Sequence, residues 1–468
     1  MREDGIFKWM VFQKSDEFRL CFCLRPVDLR CMNILLLGSG GREHALAWKL
    51  RQSPLCKELL IAPGNPGTAQ CGVNLDFAAT DFEAVRATCI EKNIGLLVIG
   101  PEEPLVKGLV DFLRGVPGLQ ALPIIGPAKE AAQLEGSKAY AKAFMERHNI
   151  PTAGYREFTR DNLEEGLAYV RNHALPVVLK ADGLAAGKGV LICQSNEEAE
   201  RELRAMIGDG KFGAASARVV VEEFLDGIEL SVFVLTDGKD YVLLPEAKDY
   251  KRIGEGDTGL NTGGMGAVSP VPFADAAFME QVRTRIIEPT VRGFEAEALD
   301  YKGFVFFGLI KVGDKPLVIE YNCRLGDPET EVVLPRIEGD LAAALLATAQ
   351  GRLSEINLNS DPRAAATIMA VSGGYPGDYA KGFAISGLQM TPTTGADSLL
   401  FQAGTVEMEG QTVTAGGRVL CVTALGETMG AAVEKARERM EGIGFEGMYY
   451  RRDIGYEFEN PHPLTPSP

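Results

Sequence analysis

The first third of the chain contains four short, uninterrupted apolar runs, each ending in a loop that carries glycine or proline. Such a run is typical of a strand buried on both faces, as in a parallel sheet flanked by helices. The runs are NILLLG (33–38), ELLIAPG (58–64), LLVIGPE (96–102) and PIIGPA (123–128). They predict a parallel α/β domain over residues 32–134, with ligands at the carboxyl ends of its strands.

The pattern then changes to a mixture of helices and longer strands, which predicts further domains of the α+β class. Residues 129–150 have a helical pattern that Pro151 ends. The later predicted helices are 275–299, 340–351 and Met429–Glu441, and the predicted strands are 177–179, 190–193, 218–225, a pair within 229–244, 303–312 and 316–322. After about Ser360 many glycines separate short apolar runs, so a β-rich C-terminal region is expected.

The segment KADGLAAGKG (180–189) joins two of these predicted strands. Glycines allow backbone N–H groups to close around an anion, and Lys180 and Lys188 would neutralise phosphate charge. A Walker A loop would continue with Ser or Thr and open a helix, whereas here Gly189 and a strand follow. The loop therefore predicts a phosphate clamp of another kind; a mobile hairpin turn is the simpler alternative.

Two acidic segments follow this loop. In VEEFLDGIE (221–229), the backbone between two strands would offer hydrogen bonds to an adenine edge, and Glu229 would accept from ribose hydroxyls. In VIEYNCRLGDPETE (318–331), Glu320 and Asn322 share one strand face and offer the oxygen ligands that Mg²⁺ prefers. Arg324 would stabilise a phosphoryl group in transfer, and the acids after it would bind cations or an amine. The alternatives are solvated glutamates and a strand end with structural ion pairs.

Two glycine-rich loops are further candidates. GSGGREHA (38–45) opens a helix, and phosphate binding and a plain strand-to-helix turn remain equally good interpretations. It does not favour NAD, because Glu43 stands where the third glycine would be and Pro63 where an acid would hold the ribose. The loop 249–270 is too long for a simple connection and predicts a mobile flap over substrate, with disorder as the alternative.

The composition narrows the kinds of partner. The 468 residues include 48 Lys and Arg against 64 Asp and Glu, a net charge of −16. An acidic surface repels nucleic-acid backbones and anionic membranes, so we expect neither as a partner. The nine cysteines form no Cys-x-x-Cys pair and no cluster with histidine, which disfavours a disulfide framework and structural zinc and suits a reducing cytoplasm.

The two ends of the chain have patterns of their own. Residues 1–31 interleave acids with aromatics and match no targeting signal, so we expect Met32 to be the natural start and the preceding residues to lack a fixed fold. Residues 457–468, which are rich in proline, are expected to be disordered.

Several motifs together resemble those of the ATP-grasp superfamily and, within it, the phosphoribosylamine–glycine ligase family. They are GGREHALAWK (40–49), KADGLAAGKGV (180–190), NTGGMGA (261–267) and NCRLGDPE (322–329), and the similarity extends from Met32 to Tyr456. The resemblance implies a Rossmann-like N-terminal domain (32–134), an ATP-grasp domain (135–355) with a lid at about 150–223, and a β-rich C-terminal domain (356–456).

The same resemblance implies ATP and Mg²⁺ or Mn²⁺ as cofactors, and glycine and 5-phosphoribosylamine as substrates of a monomer. It implies Arg324, Lys188 and Asp327 as catalytic residues and Glu320 and Asn322 as metal ligands. The implied ATP-binding residues are Lys138, Lys180, Gly183, Gly187, Lys188, Gly189, Glu222, Glu223, Phe224, Leu225 and Glu229. The implied substrate-binding residues are Gly40, Gly41, Arg42, Glu43, Asn65, Glu102, Asn261, Thr262, Gly263, Gly264, Met265, Arg324 and Asp327.

Some positions depart from the family pattern. Members carry His and Pro where this chain has Tyr250 and Leu260. Many ATP-grasp enzymes also have a metal-binding acid on the strand corresponding to 303–312, which has none here. There are three alternative functions. One is another ATP-grasp ligase, such as one using formate or carbonate. The others are a nucleotide-binding regulator without turnover and a nicotinamide oxidoreductase.

Overall fold

A parallel five-stranded sheet begins the fold, as the apolar runs predict. The computed structural model describes residues 31–184, 189–389 and 397–459. The strands are β1 (Met32–Gly38), β2 (Cys56–Pro63), β3 (Val73–Asn74), β4 (Ile94–Ile99) and β5 (Ile124–Ile125), in the order β3-β2-β1-β4-β5. On β1, Leu35 and Leu37 join one core and Ile34 and Leu36 the other, so the sheet is buried on both faces. The sequence analysis missed β3, which is only two residues long.

Helices connect these strands and lead out of the sheet. They are α1 (Gly41–Arg51), α2 (Phe82–Glu91), α3 (Glu102–Lys107), α4 (Leu109–Arg114), α5 (Gln133–Gly136) and α6 (Lys138–Arg147). The single helix predicted over 129–150 is divided at Ser137, whose backbone is extended. The Ser137 side chain accepts a hydrogen bond from Tyr140 N and so caps α6.

Residues 155–223 form a small antiparallel sheet with two helices, which we call the lid. Its elements are β6 (Tyr155–Thr159), α7 (Leu163–Arg171), β7 (Val177–Ala181), β8 (Val190–Cys193), α8 (Asn196–Ile207) and β9 (Arg218–Glu223), and the strand order is β6-β9-β7-β8. Phe158, Leu179 and Leu203 belong to a core cluster made only of lid residues. A unit with its own core is able to move as one body.

A second antiparallel sheet, in the order β11-β10-β16-β17, packs against the N-terminal sheet. The elements of this part are β10 (Ile228–Thr236), β11 (Tyr241–Leu243), β12 (Lys248–Asp249), β13 (Arg252–Gly254), β14 (Thr258–Asn261), β15 (Gly266–Ser269), α9 (Ala276–Val282), α10 (Glu288–Ala296), β16 (Gly303–Val312) and β17 (Lys315–Asn322). The helix predicted over 275–299 contains a π-helical turn, Arg283–Ile287, between α9 and α10.

The C-terminal part is a five-stranded antiparallel sheet covered by a helix. The connection from β17 to this part contains α11 (Glu329–Val333), β18 (Ile337–Glu338), α12 (Leu341–Ala349) and β19 (Asn359–Ser360). The elements that follow are β20 (Ala364–Val371), β21 (Ser398–Gln402), β22 (Thr405–Met408), β23 (Gln411–Thr414), β24 (Arg418–Gly426), α13 (Met429–Glu441) and α14 (Tyr456–Glu459). The helix α13 has its predicted bounds, because Thr428 caps its start. The short helix α14 extends three residues into the segment for which no fixed structure was expected.

The order of strands in this sheet, β12-β15-β20-β24-β21, corrects the prediction for the loop 249–270. Strand β15 is buried and pairs with β20, so this part of the loop belongs to the C-terminal sheet. Strands β13 and β14 form a separate hairpin, and β14 is exposed along its whole length. Only the hairpin retains the exposure expected of a flap.

Candidate functional site

Two buried lysines meet the carboxylate of Glu222 where the lid joins the rest of the chain. Lys180 Nζ lies 2.9 Å and Lys142 Nζ 3.3 Å from Glu222 Oε2. Lys180 Nζ also donates to the carbonyl oxygen of Ile319, on β17, across 3.3 Å. Burial lowers the pKa of Lys142 to about 8, and the charge of Glu222 opposes that effect. Glu222 therefore compensates the charges of two lysines. One of them, the lid residue Lys180, contacts the strand that carries Glu320.

This arrangement follows from strand pairing. Val178 pairs with Glu222 and Lys180 pairs with Val220 across β7 and β9, so the side chains of Lys180 and Glu222 are diagonal neighbours on one face. Lys142 reaches them from α6, outside the lid. The sequence analysis missed Lys142, although its position four residues after Lys138 on a helix places both lysines on the same face.

The glycine-rich loop is anchored at both described ends. Asp182 Oδ1 accepts from Ser137 Oγ at 2.9 Å and from Ala139 N at 2.8 Å, which ties the loop to the first turn of α6 beside Lys138. A side chain at Gly183 would press on Ala215. The carbonyl oxygen of Gly189 accepts from the backbone of β7, and Gly187 and Lys188 lie outside the described residues.

The segment predicted to meet adenine leaves β9 towards β10. Glu223 Oε1 accepts from Gly154 N at 2.8 Å, so its side chain is already engaged by the residue just before the lid. Phe224 keeps 39% of its surface exposed and Leu225 is half-buried. An exposed aromatic ring two residues after Glu222 is compatible with the predicted position of a purine base.

A charged group follows on β10, β12 and β17. Lys251 forms an ion pair with Glu229, and both side chains are about half exposed. The partial removal of Lys251 from solvent would by itself lower its pKa, but Asp249, Glu229 and Glu320 together hold the pKa well above its usual value. The charge of Lys251 lowers the pKa of Glu229. Lys251, which the sequence analysis did not single out, thus lies beside both the predicted ribose contact and the predicted metal ligand, and Asp249 lies beside Lys251 and Glu229.

Glu320 and Asn322 lie side by side, as their spacing predicts. Asn322 Nδ2 is 3.5 Å from Glu320 Oε1, and Asn322 Oδ1 accepts from Arg324 Nη2 at 3.3 Å. Across residues 31–184, 189–389 and 397–459, Glu320 has no ion-pair partner within 4 Å, and no group of three His, Cys, Asp or Glu side chains has the arrangement of a metal site. A carboxylate without an ion-pair partner among the described residues and a neighbouring amide oxygen fit a hard cation that takes its other ligands from phosphate and water.

Arg324 is held between two acids. Its Nη2 lies 2.9 Å from Glu135 Oε1 and its Nε lies 3.4 Å from Glu102 Oε2. Burial raises the pKa of Glu135, whereas Arg324 and Arg42 overcome the effect of burial at Glu102 and lower its pKa. Glu135 was not predicted as a site residue. The pair of acids fixes the direction of the guanidinium predicted to stabilise transferred phosphate.

A second charged cluster lies under the first loop. Arg42 Nε donates to Glu43 Oε1 at 2.6 Å, and Arg418 Nη2 lies 3.1 Å from Asp327 Oδ1. Both arginines overcome the effect of burial and lower the pKa of Asp327. Glu331 is fully buried, its oxygens have no hydrogen-bond partner among the described residues, and burial raises its pKa well above the usual value. Arg418 and Glu331 are additions to the sequence-based set.

Two of the three glycines of this loop, Gly40 and Gly41, are tightly packed. Gly40 N donates to Glu43 Oε2 at 2.7 Å, so one backbone donor predicted for phosphate already has a partner within the chain. A Cβ at Gly41 would overlap Glu331 Oε1. The close approach explains why a residue without a side chain stands at this position.

Of the remaining residues predicted to bind substrate, some are buried and connect parts of the fold, whereas others lie near the surface. Asn65 Nδ2 donates to Ser39 O and Gln402 O, both at 2.8 Å, so this buried amide joins the first loop to the C-terminal sheet. Met265 is 0% exposed, and its side chain packs in the core rather than at the surface. Residues 261–263 lie nearer the surface, and Gly263 O accepts from Arg418 Nη1, which ties this segment to the cluster under the first loop.

Comparison with protein families covers almost all of the described fold. Residues 32–135 match the phosphoribosylglycinamide synthetase N domain, residues 136–330 its ATP-grasp (A) domain, and residues 365–457 its C domain. The phosphoribosylamine–glycine ligase of Haemophilus influenzae is 49% identical over 428 residues, which is 91% of this chain and 98% of the relative. That of Pseudomonas aeruginosa is 47% identical over 430 residues, with the same two shares.

Solved structures agree on the fold. The phosphoribosylamine–glycine ligase of Thermotoga maritima superposes with a TM-score of 0.76 at 36% identity and covers 90% of this chain and 99% of its own. A biotin carboxylase of Campylobacter jejuni has a TM-score of 0.66 at 16% identity over 92% of this chain and 96% of its own, a likeness of fold alone. Three family domains in order and near-complete relatives lead to one conclusion. The chain belongs to the phosphoribosylglycinamide synthetase family and has its ATP-grasp fold.

Proposed function

We propose that this protein is an ATP-dependent ligase that joins glycine to 5-phosphoribosylamine in purine biosynthesis. The products are glycinamide ribonucleotide, ADP and phosphate. The observation that carries the proposal is the contact of Lys180 with both Glu222 and Ile319, which puts a cationic lid group beside the strand of Glu320 and Asn322. Phosphoryl transfer needs this combination, because several negative charges must approach one another.

The chemistry has two steps. A glycine carboxylate oxygen attacks the γ-phosphorus of ATP and expels ADP, which gives glycyl phosphate. The amine of phosphoribosylamine then attacks the glycyl carbonyl, a C–N bond forms, and phosphate leaves while the nitrogen loses a proton. Acyl phosphates hydrolyse readily, so the lid with its own core and the exposed β13–β14 hairpin would exclude water during the reaction.

Each group of site residues would have its own role in these two steps. Lys138, Lys180 and Lys188 would neutralise the ATP phosphates, Glu222–Leu225 would lie along the adenine, and Glu229 would meet the ribose. Arg324, held by Glu102 and Glu135, would stabilise the transferred phosphoryl group. The loops around 38–45, Asn65 and 261–264 and the carboxylate of Asp327 would face the two substrates.

Glu320 and Asn322 would hold Mg²⁺ or Mn²⁺. The ion supplies charge neutralisation for the ATP phosphates when bound. Lys251, close to Glu320 and paired with Glu229, would connect the metal and ribose ends of the same cleft.

No helix among residues 31–184, 189–389 and 397–459 is long and apolar enough to cross a membrane. We further propose that the enzyme acts in the cytoplasm as a monomer on these small molecules. Gel filtration with light scattering tests the monomer: a mass near 50.5 kDa supports it, and a mass twice as large contradicts it.

The test of the function is ADP release by the purified chain with ATP, Mg²⁺, glycine and freshly prepared phosphoribosylamine. Release that needs both substrates supports the proposal. Release driven by bicarbonate or formate instead would assign another ligase. ATP binding with phosphate release at background would leave a regulator without turnover.

A further inference from the structure

The segment 248–251 has two faces that contact different parts of the molecule. Lys251 forms an ion pair with Glu229 on one side of the segment, and the charge of Glu320 also acts on Lys251 there. Asp249 lies on the same side, as an alternate residue of an extended chain does. Lys248 and Tyr250 turn the other way, as alternate residues of an extended chain do. They contact the last described part of the chain, residues 451–457, which we call the C-terminal arm.

Tyr250 is the centre of this contact. It is 1% exposed, its hydroxyl donates to Glu457 Oε2 at 2.8 Å, and it accepts from Gly455 N at 2.9 Å. Lys248 Nζ lies 2.6 Å from Glu457 Oε1 and 4.1 Å from the centre of the Tyr250 ring. One carboxylate of the arm thus binds both residues that flank Asp249.

The C-terminal arm also contacts the residues that follow Lys251 in the chain. Arg451 is fully buried, and its guanidinium reaches Asp257 Oδ1 at 2.6 Å and Arg252 O at 3.1 Å. Gly256 N donates to Asp453 Oδ2 at 2.7 Å. The β13–β14 hairpin is therefore tied to the arm at its near strand and at its turn.

The backbone carries this constraint to the cleft. Tyr250 N donates to Gly266 O at 3.0 Å, and Tyr250 O accepts from Met265 N at 2.7 Å. Lys251 O accepts from Thr262 N at 2.7 Å. Because the side chain and backbone of Tyr250 are both hydrogen-bonded, the backbone of the next residue, Lys251, is held at the point from which its side chain reaches Glu229.

We propose that the C-terminal arm is a positioning element of the nucleotide and metal cleft, acting through the Tyr250–Glu457 hydrogen bond on Asp249 and Lys251. The inference rests on the proposed function for the roles of Glu229 and Glu320. Tyr250 and Glu457 contact each other on the side of the segment away from Glu229, so they would act as positioning residues. Their effect is to hold the charges of the cleft in register with ATP.

The test compares Tyr250→Phe, Glu457→Gln and Glu457→Leu with wild type and with Tyr456→Phe. Tyr456→Phe is the matched control, because it removes a hydroxyl of the same arm that donates to Asp257 at 3.2 Å and leaves the Tyr250–Glu457 bond intact. The measurements are the Kd of ATP with Mg²⁺ by calorimetry, KM for ATP and for glycine, kcat, and Tm.

We expect Tyr250→Phe to raise the Kd and KM of ATP about fivefold, the loss of about one hydrogen bond, with KM for glycine within about twofold of wild type. Glu457→Leu should raise them about tenfold or more, and Glu457→Gln, which keeps an acceptor for Tyr250, should fall between wild type and Glu457→Leu. Tyr456→Phe should leave both ATP constants unchanged.

A lower Tm with both ATP constants within about twofold of wild type in Tyr250→Phe would overturn the proposal, since the arm would then only support folding. Tyr250→Phe decides the matter if Glu457→Leu does not fold. The Kd of ATP needs neither glycine nor phosphoribosylamine, so the arm is judged separately from ligase activity. Wild type that binds ATP without substrate-dependent ADP release would refute the proposed function alone.

Discussion

Lys180 Nζ lies 3.3 Å from the carbonyl oxygen of Ile319, although 139 residues separate them in the chain. This contact joins the lid to strand β17 immediately before Glu320. A lysine that bridges two bodies is able to report on closure of the lid as well as on phosphate charge. The relationship makes Lys180 the residue through which the proposed ATP cleft is most directly tested.

Lys180→Met should raise KM for ATP at least tenfold, because it removes a buried charge beside the proposed phosphates while it keeps the length of the side chain. Steady-state ADP release measures the effect. Lys211→Met is the control, since Lys211 lies on the lid surface and pairs with Glu202 at 2.6 Å. Lys188→Ala, outside the described residues, is predicted from the sequence to weaken ATP handling in the same assay. A wild-type KM for ATP in both Lys180→Met and Lys188→Ala would mean that the site is misplaced.

Glu320→Ala should abolish metal-dependent turnover, because the proposed ion would keep only the amide of Asn322 as a protein ligand. Titration of Mg²⁺ and Mn²⁺ against ADP release measures it, and a partial recovery at high Mn²⁺ is expected. Glu338→Ala, on the exposed end of β18, is the control and should leave the metal titration unaltered. A wild-type metal dependence in Glu320→Ala would contradict the metal assignment.

Gly41→Ala should destabilise the fold by about 1–3 kcal/mol, because the new methyl group overlaps the buried carboxyl of Glu331. Gly430→Ala is the matched control. Gly430 lies in α13 with open space around it, so alanine there should stabilise the helix by about 0.5–1 kcal/mol. Urea denaturation measures both. Equal effects of the two substitutions would show that Glu331 does not restrict the first loop.

The pH dependence of stability should include a contribution from His44. Burial lowers the pKa of His44 to about 4, and Gln402 N donates to its Nδ1 at 2.8 Å. Between pH 6.5 and 4 the unfolded chain binds a proton that the folded chain does not, so stability falls as the pH falls through this window. A difference of about 2.5 pKa units corresponds to about 3 kcal/mol.

His44→Gln should therefore be less stable at pH 7.5, yet lose less stability than wild type between pH 7 and pH 4.5. Denaturant titrations at a series of pH values measure this. His173→Gln is the control, because the His173 ring lies on the lid and bonds the neighbouring Ala174 carbonyl. Parallel pH profiles for wild type and His44→Gln would exclude the titration of His44 as the cause.

Local sequence determined much of the fold. The strands 303–312 and 190–193 and the helix Met429–Glu441 have their predicted bounds, because apolar runs, glycines and caps act on near neighbours. The same holds for the side-by-side placement of Glu320 and Asn322, which depends only on the twofold repeat of a strand. Their assigned roles as metal ligands remain predictions.

Only the tertiary structure decided which distant charges meet. Lys142 joins Glu222 from another element, Tyr250 bonds Glu457 from 207 residues away, and β15 enters the C-terminal sheet although no periodicity in its four residues indicates it. A buried charge finds its partner because leaving it unpaired in the interior is costly, and that cost depends on packing across the whole molecule. Spacing in the sequence predicts which residues are neighbours along one element. Which charged residues of distant elements meet depends instead on how the sheets pack against each other.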